Sequence, residues 1–177
     1  MEHLCYPGYI RVGDNRYRER YGLDFEDFQV GQVFKHRPGV TISQQDNVEE
    51  CITTFNQAMI HFDSNYAAQT EFKQPLIVTT LIVSRLMGMT WKTFNRRKSI
   101  LEWKSIDMLA PVFGGDTLYA ESEILFVGAT SKGSDSDAGL IEVAVHGINQ
   151  DKVKTNEMRC SMLIFKRDHL PFSANNY

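Results

Sequence analysis

The chain has 177 residues, enough for one domain with a sizeable core. Its 42% hydrophobic and 23% charged residues are ordinary for a globular protein, and a formal net charge of −3 argues against a general affinity for nucleic acid or an anionic membrane. Cys5, Cys51 and Cys160 lie far apart, with no Cys-x-x-Cys pair and no zinc-spaced Cys/His cluster, so reduced cytoplasmic thiols are expected, with no disulfide framework and no metal site.

Residues 1–22 are rich in Tyr, Arg and Gly, lack the apolar stretch of a secretory leader, and read as an extended arm. The main domain is expected over 23–170, with a short tail at 171–177. A turn at Val30-Gly31-Gln32 leads into a first strand over 32–42. Ser43 and Asp46 have the spacing of a capping box, so a helix should follow over 44–55, with Val48, Cys51, Ile52 and Phe55 on one face. Residues 56–62 are then a loop, and Asp63 or Ser64 caps a short helix through Tyr66, Ala67 and Ala68.

Pro75 precedes the longest apolar stretch, which is broken by Thr79, Thr80 and Arg85 and is too short to span a bilayer. A helix over 79–91 should be largely buried, because it is apolar on most sides. The period then changes, and strands are expected over 100–109, 117–130, 139–150 and 153–166. Asn149-Gln150-Asp151-Lys152 suits a hairpin turn, and residues 131–138 a polar loop. One buried helix with several long antiparallel strands gives an α+β class.

The chemistry-bearing segment is Asn56-Gln57-Ala58-Met59-Ile60-His61-Phe62-Asp63, followed by Ala67, then Phe72 and Pro75-Leu76. A second cluster, Pro111-Val112-Phe113 with Gly115-Asp116-Thr117-Leu118, places a Gly-Asp turn before a strand. This ordered combination resembles the MaoC-like hydratases, hot-dog-fold enzymes that add water to 2-enoyl thioesters or remove it from 3-hydroxyacyl thioesters. The resemblance runs from about Phe25 to Phe165. It implies a single hot-dog domain, an antiparallel sheet wrapped around a long buried helix, and a homodimer or a multiple of one. It also implies R stereochemistry at the hydroxyl carbon. No metal or redox cofactor is called for, since coenzyme A or phosphopantetheine arrives as part of the substrate.

Such a reaction needs a held water, a group that moves its proton, and donors for enolate-like charge on the thioester oxygen. The resemblance implies His61 as acid/base and Asn56 as the water-orienting partner. Asn56 departs from the aspartate of the best-known members and resembles the Asn-bearing mesaconyl or itaconyl type. An asparagine can orient a water but cannot cycle a proton at neutral pH. Val78-Thr79-Thr80 departs from the His-Gly often found there, and the backbone N–H of Thr79 is the expected oxyanion donor. Met59, Phe72, Leu76, Ile77 and Thr80 are candidates to line the acyl pocket, although any buried helix would supply such residues. Arg96 and Arg97, in the basic run that starts at Lys92, belong either to a solvated loop or to a site for the phosphates of coenzyme A or a carrier protein.

Bland readings stand beside these. Asn56 is also a typical residue after a helix, since Asn tolerates the left-handed conformation. Asp63 suits a cap better than an acid, and His36 and His146 fit structural places in strands. Two other functions stay open: a hot-dog thioesterase, for which Asp63 or Glu71 would supply the carboxylate, and a non-catalytic acyl-thioester binder.

Overall fold

The computed structural model describes residues 8–129, 137–167 and 169. Cys5, most of the expected polar loop and the tail at 171–177 lie outside them. Within the expected arm, residues 9–19 form a hairpin: β1 (Tyr9–Gly13) pairs antiparallel with β2 (Arg16–Glu19). Asn15 takes a positive φ of 52° in the turn between them, which the flat periodicity of this stretch did not signal.

A five-stranded antiparallel sheet follows, in the order β3-β5-β6-β7-β4. Its strands are β3 (Val33–Thr41), β4 (Arg97–Met108), β5 (Thr117–Gly128), β6 (Ala138–Ile148) and β7 (Lys154–Phe165). Between β3 and β4 run α1 (Gln44–Thr53), α2 (Ser64–Gln69), α3 (Thr79–Met89) and α4 (Trp91–Phe94). This is the sheet wrapped on a helix that the sequence led us to expect. The expected hairpin turn is also present, with Asn149 Oδ1 accepting the N–H groups of Asp151 and Val153 at 3.0 and 2.9 Å.

Alternation builds the two faces. On β5 the concave side carries Leu118, Ala120, Ser122 and Ile124, all buried. On β6 it carries Ile141, Val143 and Val145, and α3 lays Leu81, Ile82 and Leu86 into the same core. The convex face is polar. One row crosses all five strands as Lys35, Glu121, His146, Glu157 and Asp107. Glu157 takes hydrogen bonds from Lys154 and Arg159, which hold its carboxyl down to about 2.

Two details differ from expectation. Helix α3 ends at Met89, and its Thr79, Thr80, Ser84, Arg85 and Gly88 side is exposed, so it is buried on one face only in a single chain. On α1 the buried residues are Asn47 and Cys51, whereas Ile52 and Phe55 are 72% and 81% exposed. Apolar periodicity marks a face without saying what covers it. The thiols of Cys51 and Cys160 are free and buried, and burial pushes Cys160 up to about 11. Among the described residues no helix is long and apolar enough to cross a membrane.

His36 is a buried histidine of β3, 5% exposed, with Nε2 2.7 Å from Ser122 Oγ. Burial, helped by Arg37 and opposed by Glu121, lowers its pKa from 6.5 to about 4. The unfolded chain therefore binds the extra proton first. The stability is complete above about pH 6.5 and is lost as the pH falls toward 4. The shift corresponds to about 3 kcal/mol. Urea midpoints measured across this window should fall less steeply for His36→Gln than for the parent chain; parallel slopes would contradict this assignment.

Candidate active site

The loop that carries His61 is built from the end of α1 onward. Thr54 closes the helix, with its N–H and its Oγ1 both donating to Glu50 O. Phe55 takes the left-handed turn (φ 59°), and the N–H of Asn56 returns to Cys51 O at 2.8 Å. Asn56 is thus not itself the left-handed residue; its Oδ1 accepts the Ala58 N–H at 2.9 Å in a local turn. A single 3₁₀ turn, Met59–His61, follows. Asp63 caps α2 by accepting the Tyr66 N–H at 3.0 Å, the role read for it from the sequence.

His61 is fixed from two sides. Its Nδ1 lies 3.0 Å from Leu76 O. A carbonyl can only accept, so Nδ1 carries the hydrogen, and in the neutral ring Nε2 is the basic nitrogen. The backbone carbonyl of His61 accepts from Gln44 Nε2 and from Asn47 Nδ2, both at 2.7 Å.

Asn47 is the hub of this arrangement and was not singled out by the sequence reading. Its side chain is fully buried. Nδ2 donates to His61 O at 2.7 Å and to Leu76 O at 2.8 Å, while Oδ1 accepts the Val78 N–H at 2.8 Å. One amide therefore ties together the His61 loop, the carbonyl that orients the imidazole, and the residue that opens α3. The only sequence signal was position: Gln44, Asn47 and Cys51 share one helical face, and two of the three are polar.

Beside His61 lies a cavity of about 300 Å³, lined also by Phe72, Leu76, Ile77, Thr79, Ile82 and the segment from Met108 to Val112. Thr79 is the first residue of α3, and its N–H has no carbonyl to meet within the helix. The cavity thus combines an imidazole, an unclaimed helix-start N–H and apolar walls. No carboxylate is among its described lining residues, and Asp63 is engaged as a cap. Among the described residues no cluster of His, Cys, Asp and Glu could hold a metal ion.

Of the ten residues expected from the sequence, five meet at this cavity: His61, Phe72, Leu76, Ile77 and Thr79. The others do not line it. Asn56 borders a separate apolar cavity with Val48, Ile52, Phe55 and Phe62. Met59 and Thr80 are exposed. Arg96 is committed elsewhere: its guanidinium pairs with Asp24 at 2.6 Å and donates to the carbonyls of Lys166 and His169 at 3.3 and 3.0 Å. Arg97 lies over the Trp91 ring at 5.6 Å. A phosphate site at this pair is not what the geometry builds; Arg96 braces the N-terminal segment against the end of β7.

A family model described as a MaoC-like domain matches residues 27–145. The β-methylmalyl-CoA dehydratase of Chloroflexus aurantiacus is 29% identical over 101 residues, which are 57% of this chain and 29% of that protein. The (R)-specific enoyl-CoA hydratase of Aeromonas caviae is 32% identical over 65 residues, 37% of this chain and 48% of that protein. The matched stretches thus span less than half of either relative. Among solved structures, a conserved hypothetical protein of Mycobacterium tuberculosis with a double hot-dog fold superposes with a TM-score of 0.74 at 27% identity, covering 85% of this chain and 46% of that one.

Proposed function

The chain belongs to the MaoC-like domain family, and from that premise we propose that it is a hydro-lyase that interconverts a 2-enoyl and a 3-hydroxyacyl thioester of coenzyme A or a carrier protein. The observation that carries this reading is the fixed tautomer of His61: Nδ1–H is held by Leu76 O, and Nε2 stands free beside a cavity that the first N–H of α3 also borders.

In the hydration direction, His61 Nε2 takes a proton from a water that attacks the β-carbon. Charge then develops on the thioester oxygen, where the Thr79 N–H and the positive end of α3 stabilise it. The same imidazole returns a proton to the α-carbon, giving the (R)-3-hydroxyacyl product implied by the family. The related dehydratase and hydratase support a thioester substrate. Asn56 stands at the start of the same loop but borders a different cavity, with its Oδ1 held by the Ala58 N–H, so a water-orienting part for its amide requires the loop to turn it toward His61.

The proposal includes a homodimer. Strand β4 is an edge of the sheet, 12 residues long. It exposes Met108 at the cavity and Trp103 and Ile106 along its length, and an unpaired edge this long calls for a second strand. Sedimentation at the mass of one chain would contradict it.

The reading is tested on straight, methyl-branched and carboxylated enoyl-CoA esters by loss of enoyl absorbance. Turnover of at least one ester with the thioester intact is expected. Release of free thiol would favour a thioesterase, and binding with neither reaction would favour a non-catalytic role.

A further inference from the structure

A buried polar pair sits on β7, one strand in from the Met108 wall of the His61 cavity, and the reaction just described has no use for it. Thr155 and Asn156, both on β7, are fully buried. Neighbouring residues of a regular strand face opposite ways, so two successive inward polar side chains need a cause. The cause is a bulge. Gly147 of β6 pairs with Asn156, yet the next residue, Ile148, pairs with Lys154, leaving Thr155 as the extra residue. Thr155 O also accepts the N–H groups of Leu109 and Ala110, at 2.8 and 3.1 Å, and so anchors the segment that walls the cavity.

The pairing register fixes where Asn156 lies. One row of the concave face runs His36, Ala120, Gly147, Asn156, Met108 across the five strands. Met108 lines the cavity, so Asn156 is one strand further in, about 5 Å away. Above this row, Leu86 of α3 covers Gly147: a Cβ added there would collide with Leu86 Cδ1 and Asn156 Oδ1. One helical turn earlier is Ile82, another wall of the cavity. Asn156 thus lies behind the Met108–Ile82 walls and beneath Leu86; it is not itself a lining residue, and an acyl chain reaches it only by parting those walls.

The pair is only half satisfied. Thr155 Oγ1 donates to Asn156 Oδ1 at 3.2 Å. Asn156 Nδ2 has no hydrogen-bond partner among the described residues. A buried donor left unmatched is costly, and apolar side chains fit such a place at less expense.

We propose that Asn156 determines substrate specificity, its amide N–H donating to an oxygen carried on the acyl chain beyond the double bond. The inference rests on the hydro-lyase reading, since it takes the cavity as the acyl site. The preferred substrates are thioesters whose acyl group bears a hydroxyl, carbonyl or carboxylate oxygen, over plain alkyl chains of equal length. The dry walls discriminate against oxygen wherever Asn156 cannot reach it.

The test separates binding from chemistry. Saturated acyl-CoA esters of equal length, ending in methyl, hydroxyl or carboxylate, are titrated into the whole protein, and the matching enoyl esters are assayed for hydration. The parent chain should bind an oxygen-bearing ester roughly ten- to a hundredfold tighter than the methyl ester. The hydroxyl and carboxylate arms tell a neutral acceptor from a charged one. Asn156→Leu, close in volume, should keep or raise the Tm and abolish the preference; Asn156→Ser should abolish it too. Equal affinity for all three esters, as a water bridging Nδ2 would give, overturns the proposal. So does a preference that survives both substitutions. A preference lost in the variants without hydration of any ester supports the Asn156 assignment and overturns the hydro-lyase reading.

Discussion

Replacing His61 with alanine is expected to lower kcat for enoyl-thioester hydration by about 10²–10⁴-fold, the range for losing a positioned acid/base, with little change in KM. Leu76 O already claims Nδ1–H, so Nε2 is the only ring atom free to exchange a proton with water at the cavity. None of the cavity's other described lining residues is acidic or basic. The fold should tolerate the change. Gln44 and Asn47 bond to the backbone carbonyl of residue 61 and not to its ring, and Leu76 O keeps its bond from Asn47. A variant that retains parental kcat on a substrate the parent hydrates would remove His61 from the mechanism.

The second large effect is expected at Asn47. Asn47→Leu keeps the volume but deletes the bonds to His61 O, Leu76 O and the Val78 N–H at once, along with a longer one of 3.4 Å to Gln44 Oε1. The two carbonyls keep other donors, in Gln44 Nε2 and His61 Nδ1. The Val78 N–H loses its acceptor inside the protein. One stranded buried donor plus the lost bonds should cost about 2–4 kcal/mol, or roughly 5–15 °C in Tm for a domain of this size. Activity should suffer beyond the stability loss, because the imidazole and the start of α3 lose their common tie. A fall in kcat of roughly tenfold or more, measured well below the Tm with KM near parental, is the expected signature. Asn47→Asp should destabilise at least as much, since it buries a charge facing two carbonyl oxygens. A purely structural Asn47 would lower the Tm and leave kcat of the folded fraction unchanged.

Features set by neighbours in sequence were the ones legible before the structure. Ser43 and Asp46 form the capping box in both directions, with the Ser43 side chain bonded to the Asp46 N–H and the Asp46 side chain to the Ser43 N–H. Strand β5 follows from period-two burial, every second residue from Leu118 to Ile124 being buried. Phe72, Leu76, Ile77 and Thr79 reach the cavity with His61 because Pro75 and the helix start place them within one short stretch.

Features set by distant partners were not legible. Arg96 looked like a free cation beside Arg97 and Lys98, but its partner Asp24 lies more than seventy positions earlier. Ile52 and Phe55 share the apolar period of a core face, yet in one chain that face is open. Asn47 has a polar side chain on a helix, which ordinarily means solvent; only the return of the chain at Leu76 to Val78 gives it partners. Asn156 was hidden for another reason. The bulge at Thr155 breaks the alternation from which inward residues are read.

The central claim is that this cavity moves water across a carbon–carbon double bond with His61 as the acid/base. Its most direct test is to incubate the enoyl-CoA panel with the protein in ¹⁸O-water and to weigh the recovered thioesters. The account predicts one ¹⁸O at the β-carbon of an intact 3-hydroxyacyl thioester, and none with His61→Ala. Label found only in a released free acid, or the same labelling with His61→Ala as with the parent chain, would contradict it.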